Sequence, residues 1–282
     1  MKTVLIISSF VAASQVGANA AAFCLRRLGI EAIVLPTTLM GRHPGWGDPG
    51  GGSVEADVLR KMWSAIRQQD IKFDAVLSGY LGQDSHIDLC ADIIQEIKRN
   101  NKSAFTLIDP VMGDNGALYI PATRAEAIAK TLIPLADMIT PNVWELSYLV
   151  GQNFSSHKDM IEAARSLAPE SLITSAPESH DSHDEIGAIW TNQDSVVQVS
   201  HKRFSTVPHG GGDALAATVL GHKLSGLSSI TATERAVGSI FAIMKAANAM
   251  TSNQSGRREL PLIETQDALI NAPHLSSRVI NT

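Results

Sequence analysis

Cysteine is scarce in this chain: Cys24 and Cys90 are the only two among 282 residues. Two cysteines make neither a disulfide framework nor a cysteine-built metal site. A reduced, cytoplasmic setting fits best. Basic tracts are missing too. The chain carries 23 Lys and Arg against 28 Asp and Glu, a net charge of −5, which argues against nucleic acid as a partner. No internal repeat and no long linker interrupts it, so a single domain spanning 1–282 is expected. No apolar run approaches the roughly 20 residues of a membrane span. The N-terminal "MKTVLIISSFVAASQVGANAAA" imitates a signal peptide. A buried strand, "TVLIIS", followed by an amphipathic helix explains it better, because "EAIVLP" then completes a βαβ unit.

What the chain has is a rhythm. "TVLIIS", "EAIVLP", "DAVLSG", "AFTLID", "DMITP" and "SLITS" are short apolar runs bounded by turn or charged residues. Helical patterns over 16–28, 53–68, 84–100 and 122–133 lie between several of them. This predicts an α/β fold with a mostly parallel central sheet and helices on both faces. Beyond residue 184, "EIGAIWTN" and "SVVQVSHKRF" read as an antiparallel pair joined at the polar Gln193-Asp194. Two long helices follow, near 211–226 and 230–252. Two polar stretches stand apart. "GRHPGWGDPGGG" (41–52) is a binding loop or a plain surface crossover. In "APESHDSHDE", His180 and His183 read as part of a solvated loop rather than as metal ligands, because no regular element fixes them.

The stretch "HGGGDALAATVLG" (209–221) concentrates the chemistry. Gly210, Gly211 and Gly212 let successive backbone N–H groups turn toward an anion. The helix start behind them adds partial positive charge. Such a nest suits a phosphate in transfer. Asp213 would repel phosphate, so it serves either as a base for an attacking hydroxyl or simply as a residue of the first helical turn.

Other polar groups fall at strand ends. Asp109 follows a buried strand in "LIDPVMGD", at the edge where open α/β sheets bind ligands. Asn142 and Glu145 have the spacing of a capping box, and the same geometry would offer Glu145 to Mg²⁺ waters and Asn142 to a phosphate oxygen. Thr174 and Ser175 end a further strand with two hydroxyls.

In order along the chain, "SSFVAASQVG", "SGYLG", "DPVMGD", "ITPNVWEL" and "HGGGDALAA" resemble the pyridoxal kinases of the ribokinase superfamily. The pair "DPVMGD" and "TPN..E" also occurs in hydroxymethylpyrimidine kinases. The resemblance implies a ribokinase-like kinase that moves the γ-phosphoryl group of ATP to the 5'-hydroxymethyl group of a B6 vitamer. It implies Asp213 as catalytic base and Gly210, Gly211 and Gly212 as the anion hole. Asp109, Asn142, Glu145, Thr174 and Ser175 would serve ATP, with Asp109 and Glu145 on Mg²⁺; K⁺ is a further candidate cation. Ser9, His43, Pro44, Tyr80 and Asp213 fall on the substrate side. A homodimer is implied as well. Hydroxymethylpyrimidine kinase, and a non-catalytic vitamer or nucleotide sensor on the same fold, are the rival readings.

Two departures from the family pattern carry expectations. Gly-Thr-Gly-Asp or Gly-Val-Gly-Asp is usual where this chain has Gly-Gly-Gly-Asp, and backbone donors survive that change. His-Thr-Gly-Tyr is usual where this chain has His43-Pro44-Gly45-Trp46, so Pro44 removes a hydroxyl and an N–H. The short segment after Asp114 predicts an altered lid over ATP.

Overall fold

The computed structural model describes residues 1–178, 184–205, 207–250 and 259–280. In chain order its elements are β1 (Thr3–Val11), α1 (Gly17–Arg27), β2 (Glu31–Met40), β3 (Gly52–Ser53), α2 (Ala56–Arg67), β4 (Ala75–Ser78), α3 (Ser85–Asn100), β5 (Phe105–Ile108), β6 (Gly113–Asp114), β7 (Ala117–Leu118), α4 (Ala122–Ala127), β8 (Met138–Ile139), α5 (Val143–Val150), α6 (His157–Leu167), β9 (Glu170–Pro177), β10 (Glu185–Asn192), β11 (Val196–Lys202), α7 (Gly211–Leu224), α8 (Ser229–Ala249), α9 (Asp267–Ile270) and β12 (Arg278–Val279). Ten strands form one sheet, in the order β12-β11-β10-β9-β8-β5-β4-β1-β2-β3. From β9 to β2 every neighbour is parallel. The edges are antiparallel: β3 on β2, and β10, β11 and β12 beyond β9.

The parallel strands are apolar throughout because helices cover both faces. In β1, Val4, Leu5, Ile6 and Ile7 are at most 1% exposed. Strand alternation sends Val4 and Ile6 into the core shared with α1 and α7, and Leu5 and Ile7 into the core shared with α2 and α3. Each such side chain contributes about 1.5–3 kcal/mol through burial. The N-terminal run is therefore a strand at the heart of the sheet, held between β4 and β2.

Helices α1 and α7 lie against each other. Both bury small residues: Ala18, Ala21 and Ala22 on α1, Ala214 and Ala217 on α7, and Gly221 of α7 lies against Leu25 of α1. Small side chains let two helices approach closely. That approach brings both N-termini to the same end of the sheet.

Some expectations are corrected. The helix expected over 122–133 ends at Ala127 and continues as a wide turn, Ile128–Leu132, then a tight one, Ile133–Leu135. Pro134 has no N–H to donate and crowds the carbonyl four residues back, so the regular ladder cannot continue. The strand expected in "DMITP" is only Met138–Ile139. Helix α5 starts at the capping box expected at Asn142 and Glu145, whereas α6 was not anticipated; it opens on Ser156, whose hydroxyl accepts from the Asp159 N–H. His180 and His183 lie outside the described residues.

Candidate active site

The chain starts in the middle of the sheet. From β1 it moves outward through β2 to β3, then returns to β4 on the other side and proceeds the opposite way. The reversal falls between β1 and β4, and ligands of open α/β sheets bind outside the carboxyl ends of the strands at such a point. Hydrogen bonding continues just past those ends. Gly79 N donates to Ile7 O at 3.0 Å, Asp109 N to Ser78 O at 2.8 Å, Thr140 N to Ile108 O at 3.1 Å and Thr174 N to Pro141 O at 2.8 Å. Residues just past the strands are thus held in line along one edge: Gly79 and Tyr80, then Asp109, then Asn142; Thr174 and Ser175, expected to end their strand, lie instead inside β9, which runs on to Pro177 because β10 pairs with it.

Asp213 sits over this edge in the first turn of α7, and its Oδ2 accepts from the N–H of Gly17, the first residue of α1, at 2.9 Å. Two helix N-termini therefore meet at one carboxylate, and each favours its negative form. Burial works the other way and prevails: the carboxyl is pushed up to about 6, despite the lowering effect of the Gly17 N–H and of its own backbone N–H. A group of that kind exchanges protons near neutral pH. Both readings of Asp213 are compatible with this place, since it is a first-turn residue whose side chain points across the crevice.

The glycines before it differ in what they demand, and only Gly210 is fixed by the backbone around it. Gly210 caps α7 with φ 93°, and a side chain there would run into the Gln15 carbonyl. At Gly211 a side chain would collide with Met244 Cε, while at Gly212 it would meet open space. Met244 thus occupies the room next to Gly211. The segment between β1 and α1 that carries Gln15 is itself pinned: Ser14 Oγ and Gln15 N donate to Glu259 Oε2 at 3.1 and 3.0 Å.

Asp109 is 8% exposed and accepts from Thr140 Oγ1 at 3.0 Å. Burial and the nearby charges of Glu145 and Asp213 push it well above the usual carboxylate range. Glu145 is 5% exposed. It forms a complete capping box with Asn142: Glu145 N donates to Asn142 Oδ1 at 2.8 Å, and Asn142 N to Glu145 Oε2 at 2.9 Å. Its Oε1 accepts from Met112 N at 3.0 Å and Gly113 N at 3.4 Å. Burial still raises its carboxyl to about 7. Among the described residues no three His, Cys, Asp or Glu side chains converge on a metal position. A divalent cation nevertheless fits the chemistry of this edge. Asp109, Glu145 and Asp213 are crowded carboxyls that resist ionising, and a cation between them and phosphate oxygens offsets that repulsion.

Thr174 is half-buried beside Asn142. Ser175 is the extra residue of a β-bulge between β9 and β10, at φ 56° and exposed. Bulges re-aim side chains at sites of this kind. Both residues sit at the far end of the edge from Ser9.

Ser9 is buried against Gly17, which at φ 55° has no room for a side chain. Tyr80 is half-buried, and its carbonyl accepts from Thr37 Oγ1 at 2.7 Å. His43 stands in the 41–52 loop: its ring stacks on His209 with centroids 4.3 Å apart, and Trp46 lies 5.6 Å away. Burial and the adjacent His209 hold the His43 imidazole below its usual range. Pro44 is exposed at the start of a short turn, Pro44–Trp46. The loop thus touches His209, the residue directly before the glycines. His209, Gly17, Gly79 and Met244 were missed by sequence reasoning. For His209 the signal was its place directly before the glycines; for the rest there was none. The β6–β7 hairpin after Asp109 was also missed, although Asn115-Gly116, at φ 49° and 86°, is a strong two-residue turn signal.

A sheet of this order, with a glycine-led helix aimed at its switch point and carboxyls along its edge, is that of the ribokinase-like kinases. The family model described as phosphomethylpyrimidine kinase matches residues 28–257. Among curated relatives, a protein named pyridoxal kinase PdxY from Corynebacterium diphtheriae is 31% identical over 98% of both chains, and one of the same name from Leifsonia xyli is 30% identical over 95% of both. A pyridoxal kinase from Leishmania donovani, solved in complex with ADP and pyridoxamine, superposes with a TM-score of 0.90 at 25% identity over the full length of both chains. The chain belongs to the pyridoxal kinase family.

Proposed function

We propose that this chain transfers the γ-phosphoryl group of ATP to the 5'-hydroxymethyl oxygen of pyridoxal, as one kinase domain spanning 1–282. Family membership makes it a small-molecule kinase; the roles of its residues are our reading. Asp213 takes the proton of the hydroxymethyl group as its oxygen attacks phosphorus. The N–H groups of Gly210, Gly211 and Gly212 stabilise the charge spread over the phosphoryl oxygens, and ADP leaves. Asp109 and Glu145 would hold Mg²⁺, which when bound neutralises charge on the phosphate oxygens. Asn142, Thr174 and Ser175 receive the nucleotide, and Ser9, His43, Pro44 and Tyr80 the vitamer. The observation that carries this reading is Asp213: a carboxylate tuned to about 6 at the switch point, flanked by two helix N-termini.

The adjacent carboxyls speak against a sensor, which needs no base tuned toward neutrality. Hydroxymethylpyrimidine kinase is the alternative substrate class, supported by the family model. Incubating the protein with Mg²⁺-ATP and each of pyridoxal, pyridoxine, pyridoxamine and hydroxymethylpyrimidine tests the choice: pyridoxal is expected to yield the fastest ADP release. No helix among the described residues is long and apolar enough to cross a membrane. Two buried free thiols, Cys24 and Cys90, support a reducing, cytoplasmic setting. A homodimer completes the proposal, and sedimentation measures it.

A further inference from the structure

Alternation along β1 places Ser8 on the same sheet face as Val4 and Ile6, the face that α1 and α7 cover. Ser8 is 2% exposed, and its Oγ has no hydrogen-bond partner among the described residues. Buried hydroxyls are normally satisfied, and an unsatisfied one calls for an explanation. Its surroundings supply one. Gly79, first residue past β4, has no side chain, and a Cβ built there would stand 2.6 Å from Ser8 Oγ and 3.9 Å from Asp213 Oδ1. Both oxygens therefore border the same small space, which exists because residue 79 is glycine. The other carboxylate oxygen, Oδ2, is already engaged by Gly17, so Oδ1 is the one turned to that space.

We propose that Ser8 is a further residue of the phosphoryl-transfer site: its hydroxyl donates to the acceptor oxygen and aims that oxygen's own proton at Asp213 Oδ1. The inference rests on the kinase reading above. In the step, the acceptor O–H bond breaks and its proton passes to Oδ1. The freed oxygen pair forms the new bond to phosphorus, and the bond from phosphorus to the ADP oxygen breaks. Ser8 keeps its proton throughout and contributes orientation only.

Two substitutions separate this role from a packing role. Ser8→Ala removes the hydroxyl without crowding, so its melting temperature is expected to equal or exceed that of the wild type. Ser8→Thr keeps the hydroxyl but adds a methyl group to a filled site, so its melting temperature is expected to fall. The proposal expects activity to run the opposite way. For Ser8→Ala, kcat drops about tenfold with KM for pyridoxal nearly unchanged, the pattern of an interaction realised in the transition state. Ser8→Thr retains more kcat than Ser8→Ala. Wild-type kcat in Ser8→Ala, or kcat that follows melting temperature across the two variants, overturns the proposal. A wild-type protein that does not phosphorylate pyridoxal overturns the kinase reading itself, whereas an active wild type beside an equally active Ser8→Ala overturns this inference alone.

Discussion

The backbone N–H of Gly17 donates to Oδ2 of Asp213 at 2.9 Å, joining the first residue of one helix to the first turn of another. The bond exists because small buried residues let α1 and α7 pack closely with both N-termini at the carboxyl edge of the sheet. It fixes which oxygen of Asp213 is left to face the crevice. It also opposes, without cancelling, the effect of burial on the carboxyl. Replacing Gly17 by alanine is expected to destabilise the protein and lower kcat together, because the new side chain meets Ser9 and the left-handed backbone resists it.

The buried carboxyls give stability a pH dependence of their own. Glu145 is raised from an ordinary 4.5 to about 7, and Asp109 is raised as well. At these groups the folded state holds protons that the unfolded state has released, so between about pH 5 and 7 they favour the folded state more as pH falls. His43, His86, His201 and His222, held below their usual range by burial, work the other way. The Glu145 contribution is therefore read as a difference: the melting temperature of the wild type minus that of Glu145→Gln is expected to grow from pH 7 to 5. A difference that shrinks over that interval would contradict the burial argument.

Glu145 does two jobs in this account. The substitution Glu145→Gln keeps one side-chain oxygen for the Asn142 N–H but turns its amide NH₂ toward the N–H groups of Met112 and Gly113, so a loss of about 1–3 kcal/mol is expected. It removes the charge offered to Mg²⁺. The Mg²⁺ concentration for half-maximal activity should rise about tenfold or more. An unchanged Mg²⁺ titration would leave Glu145 as a cap and nothing else.

Gly211 and Met244 should be energetically coupled. Gly211→Thr, which supplies the residue usual in the family, drives a side chain into Met244 Cε; overpacking of this kind costs about 1–3 kcal/mol. Adding Met244→Ala vacates that room. The double variant should be more stable than the sum of the two single changes by about 0.5–3 kcal/mol, as residues in contact show. Strict additivity in denaturant titrations would mean that the two positions do not share the space.

Pro44 bears on the vitamer. It is exposed in the loop whose His43 ring stacks on His209 beside the glycine nest. A hydroxyl restored at this position adds one neutral hydrogen bond, worth about 0.5–1.5 kcal/mol. Pro44→Thr should therefore lower KM for pyridoxal about two- to twelvefold with kcat little changed. An unchanged or higher KM for pyridoxal, with a preference for another hydroxymethyl heterocycle lost, would reassign the substrate.

Much of this was legible in the sequence because parallel strands announce themselves. Apolar runs such as "TVLIIS" need helices on both faces, and the polar residue ending each run marks the ligand edge. Asp109 and Thr174 were placed that way, Asn142 and Glu145 by their capping-box spacing, and the structure has that capping box open α5. Other features had no local signature. The break after Ala127 arises from Pro134, several residues downstream. The antiparallel turn of β10 against β9 is a tertiary choice. Gly17, Gly79 and Met244 matter through what they face across the fold, and no periodicity reports that. Asp213 could be read as base or helix-start residue because its sequence neighbours are the same in both cases; only its distance to Gly17 and its burial distinguish its surroundings.

The central claim is that Asp213 deprotonates the vitamer while the fold stands without it. Asp213→Asn keeps size and hydrogen-bonding capacity at the helix start, so the melting temperature should stay near that of the wild type. The direct measurement is the formation of pyridoxal 5'-phosphate from pyridoxal and Mg²⁺-ATP by the two purified proteins at pH 7.5. The account predicts product from the wild type and a kcat at least about a hundredfold lower for Asp213→Asn, with ATP affinity little changed. Near wild-type turnover by a folded Asp213→Asn protein would contradict it.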